Sequence, residues 1–300
     1  MKNYKSITFM LALVLVFIVA VATAANAPKL KFTFTTVQIK NAKDTYVYGV
    51  NNLGVLVGQY TDSAGKIHGM ELVAKKLTTL DDPSGSDTYC VGINSNNVIV
   101  GWYTNSSGNT QAFIYKDGKF RNIGPSGSVG TGAYGINDSG IVTGWYTDSA
   151  GVQHGFVWDG TTYTTLDVPG ASWTNAFAMN NKGIITVQWG DSAGHVEASL
   201  YNSNTKKYSK PINVPGAVNT YAHAIDSAGD VVYSWQDSKY VYHGAMCTKC
   251  TSSGRKYYKF DDPKGAGEDW GAADGINDHK LIGGCYSNKH NVDFGFKATY

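Results

Sequence analysis

Apolar and polar residues alternate along this chain in short runs, broken by Asn, Asp and Gly rather than extended at helical spacing. Alternation of that kind predicts half-buried strands joined by tight turns. The stretch around Asn137 shows the unit. Ala133-Tyr134-Gly135-Ile136-Asn137 reads as a strand ending on an Asn, and Asp138-Ser139-Gly140 as the turn after it. Asn and Asp stabilise turns by bonding their own backbone, and Gly supplies the positive φ a tight turn needs. Ile141 to Tyr146 forms a second strand, rich in β-branched and aromatic residues. His154 to Trp158 and Tyr163 to Asp167 follow as the third and fourth, and Pro169-Gly170 leads out.

The pattern recurs six times, marked by Asn51, Asn94, Asn137, Asn180, Asp226 and Asn277, at intervals of 43, 43, 43, 46 and 51 residues. Nine positions after each marker stands an aromatic residue: Tyr60, Tyr103, Tyr146, Trp189, Trp235, Tyr286. Eleven positions after stands Asp62, Asn105, Asp148, Asp191, Asp237 or Asn288, and eighteen after stands Gly or Ala. Four antiparallel strands in a unit of about 43 residues define a β-propeller blade. The sequence therefore predicts an all-β, six-bladed propeller over residues 25–300. The sixth unit stops after its third strand. Phe34-Thr35-Thr36-Val37 matches Leu77-Thr78-Thr79-Leu80, the fourth strand of the first unit, so the N-terminal segment is predicted to complete the last blade and remove an open edge.

The run from Gly135-Ile136-Asn137 through Gly144-Trp145-Tyr146, continued by Thr147 to Val157, resembles the exported bacterial repeat proteins of the HAF family. The likeness spans nearly all of residues 30–300. It drifts in units four to six, where Ala178 and Ala224 replace Gly and Lys280 replaces the turn Gly. The resemblance implies an extracellular or envelope propeller and brings no catalytic residues with it.

Composition changes this picture little. A net charge of +2 gives no reason to expect nucleic acid as a partner. Residues 1–24 differ: Lys2 and Lys5 precede an apolar run from Ile7 to Val21 and the small-x-small pattern Ala22-Thr23-Ala24. This reads as a signal peptide, with a retained membrane anchor as the alternative. A secreted, periplasmic or envelope location follows, and with it an oxidising setting for four Cys. Cys247 and Cys250 are expected to form a local disulfide; Cys90 and Cys285 are expected to stay free. No cofactor or metal is called for, and a monomer is expected.

Repetition separates scaffold from site. The aromatics at the ninth position are expected to pack between blades, and the Asp and Asn at the eleventh to open turns rather than to bind calcium, since no D-x-D-x-D-G series is present. His68, His154 and His243 share the seventeenth position in alternate units. They lie two strand spacings, roughly 9–10 Å, outside the innermost strand. They cannot meet on one metal and are read as structural. Three positions before each marker the slot reads Tyr48, Val91, Tyr134, Phe177, His223 and Asp274. His223 and Asp274 are ionisable departures from an apolar slot in consecutive units, either a proton-transfer pair or a buried pair that satisfies itself.

The linker from Asp261 to Ala273 is the longest of its kind and carries Glu268, Asp269 and Trp270. Trp173 and Tyr221 are assigned to comparable linkers on the same face. Carboxylates beside an aromatic suit a sugar or a cation. The expected function is a binding or scaffold module that presents a ligand face for an extracellular glycan or protein near units five and six. One alternative is a polysaccharide-active hydrolase or lyase with His223, Asp274, Glu268 and Asp269 as its candidate catalytic groups. The other is a purely structural envelope or matrix protein.

Overall fold

The computed structural model describes residues 30–265 and 271–300. The described residues form 24 strands in six four-stranded antiparallel sheets, the blades of a propeller. From the axis outward, blade three runs Gly130–Ile136, Val142–Thr147, Gln153–Trp158 and Tyr163–Leu166. Its innermost strand begins three residues before the predicted Ala133. Gly130 and Gly132 carry little strand propensity, yet Gly130 pairs with Thr147 because the second strand reaches that far.

The N-terminal strand Thr33–Val37 is the outer strand of blade six, as expected. It pairs antiparallel with Asp293–Thr299, from Thr33 opposite Thr299 to Val37 opposite Gly295. Phe34 packs edge-on against Phe296 at 5.2 Å, and Phe32 lies 4.3 Å from Phe260 of blade five. Residues 1–24 lie outside the described residues.

The apolar core lies in the seams between blades. In one seam Leu200 of blade four meets Ala222, Tyr233 and Ala245 of blade five; in another Val57 of blade one meets Cys90, Ile99 and Phe113 of blade two. The small residue at the eighteenth position follows from this. A Cβ on Gly69 would lie 2.5 Å from the Leu80 carbonyl oxygen and 2.8 Å from the Cys90 sulfur. Cys90 and Cys285 are free and buried, and Cys247 and Cys250 are joined by a disulfide.

The repeated polar residues tie the blades down. All six residues at the eleventh position accept backbone N–H groups two and four residues on, as Asp62 does from Ala64 and Lys66. Each repeated His is held between two carboxylates of its own blade. His68 Nδ1 lies 2.9 Å from Asp81 and its Nε2 3.2 Å from Asp62. His154 is held likewise by Asp167 and Asp148, and His243 by Asp261 and Asp237. The two carboxylates bind opposite ring nitrogens and so cannot converge on one ion.

Trp235 and Tyr103 of the ninth position pack into seam clusters, and four of the six aromatics also find a ring partner inside their own blade. Tyr60, Tyr146 and Trp235 stack on His68, His154 and His243 at 5.0, 5.1 and 4.6 Å. Each pair is directly cross-strand, as Tyr60 is to His68, which brings the two rings face to face.

Candidate functional site

A bulge recurs in every innermost strand and builds the site. The register skips between Val47 and Gly49, Cys90 and Gly92, Ala133 and Gly135, Ala176 and Met179, Ala222 and Ile225, and Ala273 and Gly275. In each blade the slot three before the marker falls in the skip. A bulged residue leaves the ladder and its side chain is re-aimed. Tyr48, Val91, Tyr134, Phe177, His223 and Asp274 consequently all line one axial cavity of about 460 Å³.

Glycine next to the bulge lets neighbouring inner strands touch: a Cβ on Gly49 would lie 2.5 Å from the Val91 carbonyl oxygen, and one on Gly135 2.7 Å from that of Phe177. The bulge is also anchored from the next blade, since Thr186 Oγ1 donates to the His223 carbonyl at 2.8 Å.

The cavity has a floor. Val50, Ile93, Ile136, Met179, Ile225 and Ile276 project just below the bulges, and all six line both this cavity and a smaller one of about 80 Å³ beyond them. This apolar collar separates the two. The smaller space is ringed by the markers, whose side chains join blade to blade. Asn51 Nδ2 donates to the Asn94 carbonyl at 3.0 Å, Asn94 to that of Asn137 at 3.0 Å, Asn180 to that of Asp226 at 2.9 Å, and Asn277 to that of Asn51 at 2.8 Å. Asn137 turns instead to the Met179 sulfur at 3.6 Å.

The walls are chemically divided. On one side Tyr134 and Phe177 stack at 3.8 Å and 12°, with Trp102 edge-on to Tyr134 at 5.5 Å. On the other are His223 and Asp274, with Tyr48 following in blade one. His223 Nδ1 lies 3.7 Å from Asp274 Oδ1, while its Nε2 meets the Ser234 hydroxyl at 2.7 Å. The Cys285 thiol points at Asp274 Oδ2 from 3.9 Å. Burial lowers the His223 pKa to about 4 and raises that of Asp274 to about 7. Burial, with the nearby Cys285 and Asp274, likewise holds the Tyr48 hydroxyl well above the ordinary tyrosine range.

Serine, imidazole and carboxylate stand here in the order of an acyl-transfer array. Two facts argue against that use. Ser234 is only 5% exposed and does not line the cavity, so His223 stands between it and any substrate. The 3.7 Å separation of Nδ1 from the carboxylate is also beyond hydrogen-bond length.

The remaining sequence candidates fall elsewhere. Glu268, Asp269 and Trp270 lie outside the described residues. Trp173 stands in its linker, one residue before the inner strand Thr174–Met179, and its indole leans over Gly190. Tyr221 belongs to the inner strand Asn219–Ile225 rather than to a linker. Its hydroxyl meets Gln236 at 3.3 Å and its ring lies 5.7 Å from Tyr242, away from the cavity lining. Trp102, which does line the cavity, shares its slot with Gln59, Trp145, Gln188, Ser234 and Cys285. That variability hid it.

No family model matches the chain, and the curated proteins contain no sequence match. Solved structures match the fold. The Aleuria aurantia lectin in complex with Fucα1-6GlcNAc superposes with a TM-score of 0.54 at 14% identity, covering 88% of this chain and 93% of that one. A putative TolB from Agrobacterium tumefaciens gives 0.59 at 9% identity, covering 86% and 91%. A mutant of AofleA from Arthrobotrys oligospora gives 0.55 at 11%, covering 88% and 86%. At these identities the likeness establishes a six-bladed β-propeller.

Proposed function

We propose that this protein is an exported carbohydrate-binding propeller whose ligand sits in the axial cavity above the apolar collar. The observation that carries the reading is the division of the cavity wall. Stacked Tyr134 and Phe177 with Trp102 offer an apolar platform, and His223 and Asp274 offer polar groups opposite it. A sugar has that same division, with apolar C–H faces and a rim of hydroxyls. The cavity volume of about 460 Å³ falls within the range of about 300–1,000 Å³ usual for small-molecule sites.

The fucose-bound lectin relatives support the class, and the HAF-like repeat together with residues 1–24 supports export. Among the described residues Asp274 is the only carboxylate lining the cavity. Hydrolysis of a glycosidic bond takes two, so binding without turnover is the reading adopted.

A glycan array probed with the purified protein, followed by calorimetry on the hits, tests this. Phe177→Ala and Trp102→Ala are expected to weaken binding at least tenfold. Hits that bind equally well to both variants, or an array with no hits, would overturn the site.

A further inference from the structure

Asp274 faces the cavity without the partners a buried carboxylate requires. Among the described residues its polar side-chain contacts are His223 at 3.7 Å and the weakly donating Cys285 thiol at 3.9 Å. Among the described residues no Lys or Arg lines the cavity, and no backbone N–H donates to this carboxylate. A buried charge is costly unless it is paired and hydrogen-bonded. Five other blades fill the equivalent slot with Tyr, Val, Tyr, Phe and His, so the scaffold itself does not call for an acid there. The neighbouring wall is aromatic, and aromatic faces attract cations.

Resting on the carbohydrate reading above, we propose that the cavity takes an amino sugar, a saccharide bearing a free ammonium group, with the ammonium against Asp274. The sugar ring then lies toward Tyr134 and Phe177. The ammonium supplies the positive charge that the protein withholds from Asp274. His223 does not compete for that role, because burial keeps its imidazole neutral above about pH 4. The titratable groups facing Asp274 are His223 from blade five, Cys285 from its own blade and Tyr48 from blade one. Burial holds the last two in their neutral forms at ordinary pH. Discrimination against neutral sugars therefore rests on one carboxylate.

Calorimetry with glucosamine, glucose, N-acetylglucosamine and choline tests the proposal on the full-length protein and on Asp274→Asn. At pH 7 glucosamine is expected to bind at least tenfold more tightly than glucose or N-acetylglucosamine, and Asp274→Asn is expected to erase the difference. Lowering the pH to 5 leaves the ligand's ammonium protonated but protonates Asp274, so the wild-type preference is expected to shrink. This arm needs no variant and stands even if Asp274→Asn misfolds. Equal affinity for glucosamine and glucose overturns the amino-sugar inference and leaves the carbohydrate reading intact. Binding of choline with no saccharide bound, or no binding of glucosamine, also overturns the amino-sugar inference, while the carbohydrate reading falls only with an array that gives no hits.

Discussion

Lys280 of blade six places its ammonium 2.9 Å from Asp230 and 3.6 Å from Asp226, across the one seam where the marker carries no amide. Asp226 cannot donate to the Asn277 carbonyl as Asn51, Asn94, Asn180 and Asn277 donate to theirs. Its Oδ2 is buried without a hydrogen bond, and burial raises its pKa. Lys280 supplies the missing positive group and does so at φ 65°, in a turn position where four of the six blades have Gly. A non-glycine residue in that region costs about 1 kcal/mol. The strain is tolerated because the ammonium bridges the seam.

Lys280→Gly is accordingly expected to lower the melting temperature despite relieving the backbone, since it leaves two buried carboxylates facing each other. Adding Asp226→Asn restores the arrangement of the other seams and is expected to recover part of the loss. A double variant no more stable than Lys280→Gly would refute the exchange of ion pair for amide.

The clasp at His154 is expected to be pH-dependent. Burial alone lowers its pKa, but hydrogen bonds and charge from Asp167 and Asp148 outweigh burial and leave it raised. A raised folded pKa stabilises the protein below the unfolded value of ~6.5, and that stability is lost as pH rises through the folded value. Both Asp residues are substantially exposed, so the contribution is about 0.2–1 kcal/mol. Melting curves of wild type and His154→Gln should differ most near pH 5.5 and converge by pH 8.5.

Asp274 moves in the same direction for a different reason. Burial makes the folded state keep the proton up to about pH 7, whereas an ordinary carboxyl loses it near 3.8, so stability is lost as pH climbs between them. His223, lowered to about 4, works in the reverse sense only below its ordinary range. Asp274→Asn is therefore expected to melt above wild type at pH 8, each kcal/mol giving about 2–4 °C. A variant less stable than wild type at pH 8 would show the carboxylate to be a structural partner.

Removing residues 30–37 should lower the melting temperature by more than any single substitution here. The loss takes away the whole pairing with Asp293–Thr299 and uncovers Phe296, now 2% exposed. An unchanged melting curve would mean that blade six stands without its outer strand.

Gly49→Ala drives a Cβ to within 2.5 Å of the Val91 carbonyl oxygen. It is expected to destabilise by about 1–3 kcal/mol. Ala224→Gly, at the matching slot of blade five, should cost only about 0.5–1 kcal/mol. Chemical denaturation of the two variants checks the contrast.

The repeat made blade number, strand order and ring closure readable, because a residue recurring at one slot in six units has to serve the unit. It also singled out His223 and Asp274. What it could not show was the bulge that turns both toward the axis, since a skipped ladder pair has no composition of its own. Nor could it show that His68, His154 and His243 are each held by an Asp after the fourth strand, 13 or 18 residues away, because that distance varies with the hairpin between the third and fourth strands. Tyr221 falls in a strand and not a linker for a related reason: the inner strand of blade five starts at Asn219, and propensity alone does not mark that start.

The collar of Val50, Ile93, Ile136, Met179, Ile225 and Ile276 has a kinetic consequence. It makes the ring a cup rather than a tube. Whatever enters leaves by the same rim, so arrival and departure share one doorway.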